Sequence, residues 1–313
     1  MTRRVLLVGH PGRPEALDVA AELVHGLTAN GIEVIGQTDE LSAFGILGEA
    51  GVTGYHEPQQ DGAEVAVVLG GDGTILRGAE IVRESGVPLL GINLGHVGFL
   101  AEAERDDIQH TVRKIVDRGW TVEERSTLEV EASLGGRSLW TNWALNEASV
   151  EKAARERMLE VTLAIDGRPL STWGCDGVVM ATPTGSTAYA FSAGGPIVWP
   201  GVPATLVVPI SAHALFARPL VLGPDTHLAV EIKAATEGAG VMWCDGRRHV
   251  DLPPGARIEV RRGLRPLRLA RLTSAPFTDR LVAKFDLSVA GWRGNGDTAS
   301  PVDDVDGGEG ARP

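Results

Sequence analysis

Short β-branched runs alternate with amphipathic stretches through the first 120 residues, and this alternation limits the possible folds more than any other feature of the chain. The runs "RVLLVG" (4–9), "IEVIG" (32–36), "EVAVVL" (64–69) and "VPLLGIN" (87–93) are apolar almost throughout, as strands buried on both faces are. Between them, 14–31 and 74–84 place apolar residues at helical spacing, the first with Pro near its start and Gly at its end. A third helical pattern, 104–119, opens with acids, as the helix dipole prefers. Strands and helices taken in turn predict a mostly parallel sheet covered by helices.

Beyond Trp120 the period changes. "TLEVEASL" (127–134), "LEVTLAIDGRPL" (159–170), "THLAVEIKA" (226–234) and "ARIEVRRG" (256–263) alternate apolar and polar residues, which is the antiparallel pattern. The expected fold is an α/β N-terminal domain with a mostly parallel sheet (1–120), followed by a β-rich C-terminal domain (121–284). The last stretch, 295–313, carries five acids, one Arg and no aromatic residue, and is expected to be a disordered acidic tail.

Composition narrows the class of function. A chain of 313 residues suffices for two domains and a sizeable core. Its net charge of −12 argues against nucleic acid, whose binding needs a basic face, although a local basic pocket remains compatible with it. The two cysteines, Cys175 and Cys244, build neither a disulfide framework nor a metal centre. No apolar run approaches the length of a membrane span, so no membrane is expected, and the expected location is cytoplasmic.

Two stretches carry chemistry. "LGGDGTILR" (69–77) sets an acid, Asp72, among Gly70, Gly71 and Gly73 on a strand-to-helix turn. It has neither the Lys of a Walker loop nor the third Gly of a dinucleotide fingerprint. As a capping or turn residue, Asp72 would exchange for Asn with little effect. As a functional group, it would take a proton from an acceptor hydroxyl while the amides of 70–74, Thr74 included, cradle a donor's phosphates. The second stretch, "DGVVMATPTGSTAYAFSAGGPIV" (176–198), is dense in hydroxyls and glycines around Tyr189, and reads as a polar cradle for a sugar–phosphate ligand.

With "NLGHVGFL" (93–100) and "LNEASV" (145–150), these stretches closely resemble the NAD kinase family, whose pattern runs GGDGT, N-x-G-x-x-G-F-L, N-E, and D-G-x-x-x-x-T-P-T-G-S-T-A-Y with S-A-G-G-P. The later "ARPLVL" (217–222), "CDG" (244–246) and "FDLSVAGWRG" (285–294) also look familial, so the resemblance covers roughly residues 1–294. GGDGT alone is shared with lipid kinases; the TPTGSTAY stretch is far more specific. The resemblance implies that Asp72 accepts the proton of the adenosine-ribose 2′-hydroxyl, with Gly73 beside it. It implies dinucleotide contacts at Asn146, Glu147, Asp176, Thr187, Ala188, Tyr189, Ala190, Phe191 and Ser192, and basic contacts at Arg77 and Arg157. Phe99 reads as a base-packing or core residue, His96 as structural, and His10 and Arg13 as residues near the donor phosphates.

The function implied is phosphorylation of NAD by ATP, with polyphosphate as a second conceivable donor and a divalent cation, magnesium by expectation, whose ligands the sequence does not identify. The family also implies a homo-oligomer, a dimer or tetramer, and a return of 285–294 to the first domain. Two alternatives share parts of the pattern: a lipid or sugar kinase with GGDGT, and a non-catalytic NAD(H)-sensing module. The first leaves TPTGSTAY unexplained. The second has no need of Asp72.

Overall fold

The structure, a computed structural model, describes residues 2–289 except 11, 13, 57–61, 96, 97, 105, 106, 156 and 237. The tail expected at 295–313 and the second half of 285–294 (290–294) lie outside the described residues, as do Arg13 and His96. Among the described residues no helix is long and apolar enough to cross a membrane.

The first half follows the predicted alternation: β1 (Arg4–Gly9), α1 (Pro14–Ala29), β2 (Glu33–Gln37), α2 (Thr38–Ala43), β3 (Val52–Tyr55), β4 (Ala63–Leu69), α3 (Asp72–Val82), β5 (Leu89–Asn93), β6 (Ala103–Glu104), α4 (Ile108–Val116) and β7 (Thr121–Arg125). Strands β3-β2-β1-β4-β5 pair in parallel in that order. Both faces of the sheet are covered. Val5, Leu7, Val65 and Val67 pack under Leu23 and Leu27 of α1 and Val112 and Ile115 of α4. Leu6, Val8, Ala66 and Val68, the alternate residues of the same strands, pack under Ile75, Ala79 and Val82 of α3. This two-sided burial explains why these strands read as unbroken apolar runs.

The second half supplies β8 (Leu128–Leu134), β9 (Arg137–Ala144), β10 (Glu147–Lys152), β11 (Leu159–Ile165), β12 (Arg168–Cys175), β13 (Gly177–Ala181), α5 (Tyr189–Ser192), β14 (Thr205–Ile210), β15 (Leu220–Leu222), β16 (Leu228–Ile232), β17 (Gly240–Cys244), β18 (Arg248–Leu252) and β19 (Arg257–Arg262). They form two six-stranded antiparallel sheets, β12-β11-β16-β19-β8-β9 and β15-β14-β13-β10-β17-β18. The sheets bury Val130, Val161, Leu163 and Trp173 of the first against Val150, Val178, Met180 and Met242 of the second. On its other face the second sheet packs Val179, Ala181, Leu206 and Val208 against Ala190 of α5.

The chain crosses back earlier than 285–294. β20 (Leu267–Arg271) enters the first sheet between β5 and β7, parallel to β5 and antiparallel to β7, and α6 (Phe277–Phe285) follows it. The expected boundaries at 121 and 284 therefore shift, because β7 and β20 are both strands of the first sheet. β20 is buried on both faces: Leu267 and Leu269 join the core under α3, and Ala270 joins the core under α1.

Candidate active site

The carboxyl ends of parallel strands gather ligands, and the GGDGT turn lies at such an end, after β4. Gly71 caps α3 in an extended conformation, with no side-chain cap bond, and Asp72 is the first helical residue. Asp72 is therefore neither a cap nor an Asx-turn residue. Its carboxylate reaches instead across to the turn after β5, where the Phe99 N–H donates to Oδ2 and the Leu100 N–H to Oδ1, each at 3.2 Å. Gly98 makes this approach possible, since a Cβ there would lie 2.5 Å from Oδ1. A Cβ at Gly71 or Gly73 would meet nothing within 4 Å, so open space lies before the helix N-terminus, where free N–H groups and the dipole favour an anion.

Asn146 and Glu147 sit beside this helix, because Leu145 is buried in the same cluster as Ile75 and Leu76. Their backbone is pinned by one buried carboxylate. Asp245 accepts the N–H groups of Leu145 (3.0 Å), Asn146 (2.7 Å) and Glu147 (3.3 Å), and the Arg248 guanidinium at 2.6 Å. Arg248 also pairs with Glu80 of α3, as does Arg247. The guanidinium groups of Arg83 and Arg248 each lie over the Trp143 ring, 4.6 and 4.7 Å from its centroid. The helix that carries Asp72 is thus fastened to the Asn146–Glu147 pair. Burial and the neighbouring Asp245 push the Glu147 carboxyl up to about 8, so it holds a proton at neutral pH. Its Oε2 is buried with no hydrogen-bond partner among the described residues, while the carboxyl takes a bond from the Tyr189 N–H.

The hydroxyl-rich stretch mostly builds itself. Thr182 Oγ1 donates to Leu145 O at 2.6 Å and accepts the Gly185 N–H at 3.1 Å. Ser186 Oγ bonds Pro183 O (2.7 Å) and the backbone of Val198, and Thr187 Oγ1 bonds Thr184 O (3.3 Å). Gly185 lets this turn lie on Asn146, whose carbonyl oxygen would be 2.0 Å from a Cβ. Thr182, Ser186 and Thr187 thus each bond the backbone of the turn they belong to. Ala190 is fully buried in the apolar cluster behind it, whereas Ala188 is half-buried and Tyr189, Phe191 and Ser192 are exposed. The Tyr189 hydroxyl bonds to Glu151.

Other expected ligand residues have protein partners. Arg77 pairs with Glu40 and donates to Gln37 Oε1 (2.9 Å) and Gly9 O (3.2 Å), while Glu40 accepts the Gly9 N–H at 3.0 Å. The guanidinium compensates a buried carboxylate and fastens the ends of β1 and β2. Phe99 is a core residue, with its ring centroid 5.9 Å from that of Phe277 and 5.8 Å from that of Phe285. Asp176 holds Lys152 at 2.5 Å, which keeps its carboxyl below the usual range. Arg157 is exposed on a cavity shared with Met158, Thr172 and Thr236 and not with Asp72, Asn146, Glu147 or Tyr189. His10 is exposed and accepts the Gly12 N–H on Nδ1.

Sequence reasoning missed Asp245 and Glu102. Asp245 stood in "CDG" as a familiar but unexplained motif; its signal is an acid following a strand as apolar as "GVMWC". The Glu102 side chain is 1% exposed and receives Arg271, Arg280, the N–H groups of Leu272 and Thr273, and the Thr273 hydroxyl. No local pattern announces it. Among the described residues no group of three or more His, Cys, Asp or Glu side chains is gathered to hold a metal ion.

Fold and site together define a two-domain protein in which an acid-bearing glycine turn on a parallel sheet adjoins an Asn–Glu pair on an antiparallel double sheet. Two family models match the chain, the ATP-NAD kinase N-terminal domain at 50–120 and the ATP-NAD kinase C-terminal domain at 145–272. The chain is 59% identical to NAD kinase 2 of Streptomyces coelicolor, over 93% of its own length and 97% of the relative's. It is 60% identical to the NAD kinase of Thermobifida fusca, over 93% and 92%. Among solved structures, yeast NADH kinase complexed with NADH matches with a TM-score of 0.81 and 25% identity, over 96% of this chain and 90% of that one. An NAD kinase from Archaeoglobus fulgidus in complex with ATP matches with a TM-score of 0.68 and 25% identity, over 90% and 98%. This chain belongs to the NAD kinase family.

Proposed function

We propose that the chain transfers the γ-phosphoryl group of ATP to the 2′-hydroxyl of the adenosine ribose of NAD, giving NADP and ADP. The observation that carries this reading is the setting of Asp72, which stands at the open N-terminus of α3 with both carboxylate oxygens oriented by the Phe99 and Leu100 amides and no capping role. In the transfer, the ribose 2′-oxygen forms a bond to the γ-phosphorus as the bond to the bridging oxygen breaks, ADP leaves, and the hydroxyl proton passes to Asp72. Because this chemistry needs alignment more than covalent catalysis, the remaining residues orient. The amides of Gly71, Asp72 and Gly73 face the donor's phosphates; those of Gly70 and Thr74, expected to join them, donate instead to Ile92 O (3.0 Å) and Gly71 O (2.9 Å). Asn146 offers an amide to the base edge, and protonated Glu147 can both donate to and accept from a ribose diol.

The divalent cation, on this reading, arrives with the nucleotide as part of the donor substrate. Membership of this family leaves the lipid or sugar kinase and the non-catalytic sensor without support. A dimer or tetramer is the assembly we infer, and light scattering tests it. The direct test of function is NADP formation from NAD, ATP and magnesium by the purified chain. Absence of NADP refutes the proposal, and polyphosphate in place of ATP tests the second donor.

A further inference from the structure

The turn that holds Asp72 is itself held from behind. Arg280, on α6, donates from Nη1 to the carbonyl oxygens of Phe99 (3.1 Å) and Ala101 (2.9 Å). The Phe99 carbonyl and the Leu100 N–H belong to one peptide group, and that N–H is the donor to Asp72 Oδ1 at 3.2 Å. A continuous line therefore runs from guanidinium to carbonyl, through one planar amide, to the carboxylate. Planarity makes the amide a rigid transmitter, since fixing its oxygen fixes the direction of its N–H. A cation on the oxygen also polarises the amide and strengthens its N–H as a donor.

Arg280 is well placed to act as a fixed point. Its side chain is 15% exposed, and its Nη2 pairs with Glu102, whose side chain is 1% exposed. Glu102 is anchored in turn by Arg271 of β20 and by the backbone of Leu272 and Thr273. The same helix reaches the acceptor side. Phe285 stands 5.8 Å from Phe99 and 4.9 Å from Phe191 of α5, between ring centroids, so α6 touches the base-holding turn and the TGSTAYAFS segment together. Phe277 closes the other flank, 5.9 Å from Phe99 and 5.3 Å from Trp199.

We propose that Arg280 is a positioning residue for the phosphoryl transfer: through the Phe99–Leu100 peptide it sets the orientation of the Asp72 carboxylate, and α6 registers that carboxylate against the segment that receives the dinucleotide. It touches neither substrate. This inference rests on the reading of Asp72 as proton acceptor.

The test compares Arg280→Lys and Arg280→Gln with the parent in steady-state NAD phosphorylation. Lys keeps a cation beside Glu102 but lacks the planar fork that serves two carbonyls and a carboxylate at once. Glu102 retains Arg271 in either variant, and thermal melting confirms the fold. Small misplacements of a reacting group cost about a hundredfold. The expected result is a fall in kcat of about tenfold for Lys and about a hundredfold for Gln, with KM for NAD within about threefold of the parent. The same substitutions are then made in an Asp72→Asn background and followed with radiolabelled ATP, where they should change kcat by less than about twofold, because the group they position is gone. Equal kcat in parent and Lys variant, a loss confined to KM, or the same fold-loss in the Asn background overturns the inference. If Gln fails to fold, the Lys variant carries both arms. A parent chain that makes no NADP refutes the functional reading, and this inference with it; an active parent with an equally active Lys variant refutes the inference alone.

Discussion

Replacing Asp72 by Asn separates a carboxylate that ties a turn from one that accepts a proton. The carboxylate receives two backbone N–H groups, one on each oxygen. Asn has one oxygen and one NH2, so one of the two donors loses its acceptor and faces another donor. An unsatisfied N–H in a part-buried place costs about 1–3 kcal/mol. In a chain of this size each kcal/mol moves Tm by about 2–4 °C, so melting should fall by several degrees. The sequence alone led to the opposite expectation, an unchanged Tm, because it placed Asp72 where Asn caps equally well. The catalytic effect is larger and separate. Loss of a general base lowers turnover by about a hundredfold to ten-thousandfold, about 2.7–5.5 kcal/mol of barrier. Partial unfolding at assay temperature cannot produce that figure while the folded fraction stays near one. The assay is NADP formation at saturating NAD and ATP, well below the variant's Tm, with NAD affinity measured alongside and expected to hold. Turnover within a few fold of the parent would refute the proton-acceptor role and leave Asp72 as a fastener. An unchanged Tm would show that the two amide bonds are not what orients it.

Gly98→Ala keeps the acid and moves it: the new Cβ would stand 2.5 Å from Oδ1, so kcat should fall by about tenfold to a hundredfold, and a parent-like kcat would show that the carboxylate's position is not critical. The Glu147 carboxyl is raised from 4.5 to about 8 in the folded chain, so the native state binds more protons than the unfolded one between those values, and stability falls as pH rises through that window by up to about 1.4 kcal/mol per unit. Glu147→Gln should therefore gain on the parent in thermal melting from pH 5 to pH 8, and a difference that does not vary with pH counts against a buried, protonated Glu147. Tyr189→Ala should weaken NAD binding by about tenfold to a hundredfold through loss of a stacking ring, with little change in Tm because the ring is exposed; isothermal titration reads it, and unchanged affinity removes Tyr189 from the acceptor site.

The legible parts of this molecule are those in which one local pattern has one cause. Two-sided burial writes itself as "RVLLVG" and "EVAVVL", and one-sided burial as "LEVEASL", so both halves of the fold could be read from period alone. β20 could not: "LRLAR" is five residues long and alternates like its antiparallel neighbours, yet it is inserted in the mostly parallel sheet by contacts set 180 residues earlier in the chain. Asp72 drew notice because an acid is unusual among the glycines of such a turn, whereas Asn146 and Glu147 were singled out only through the family resemblance. Their supports were not legible. Asp245, Glu102 and Arg280 act through hydrogen bonds to residues about a hundred positions or more away, and a carboxylate that binds backbone amides leaves no mark on the sequence of the segment it binds. Arg77, singled out through the family resemblance, pairs with the buried Glu40, a partner that its local sequence does not announce.

An acid at the positive end of a helix, where phosphates are to be held, would ordinarily settle onto the helix's own N–H groups and compete with the phosphates for them. Here the carboxylate is turned away, with both oxygens engaged by amides of a different turn, so the N-terminus of α3 stays open. That arrangement needs the second turn to be rigid, and Arg280 with Glu102 supplies the rigidity from behind. It also needs α3 to keep a fixed relation to the acceptor's side of the site, which Glu80, Arg248 and Asp245 provide by linking the helix to the backbone of Asn146 and Glu147. The two lines share no residue. One fixes the acid relative to its own domain, and the other fixes that domain's helix relative to the antiparallel sheets. On the proposed mechanism in-line transfer requires both, because the proton acceptor and the attacking oxygen it serves are then held by different domains.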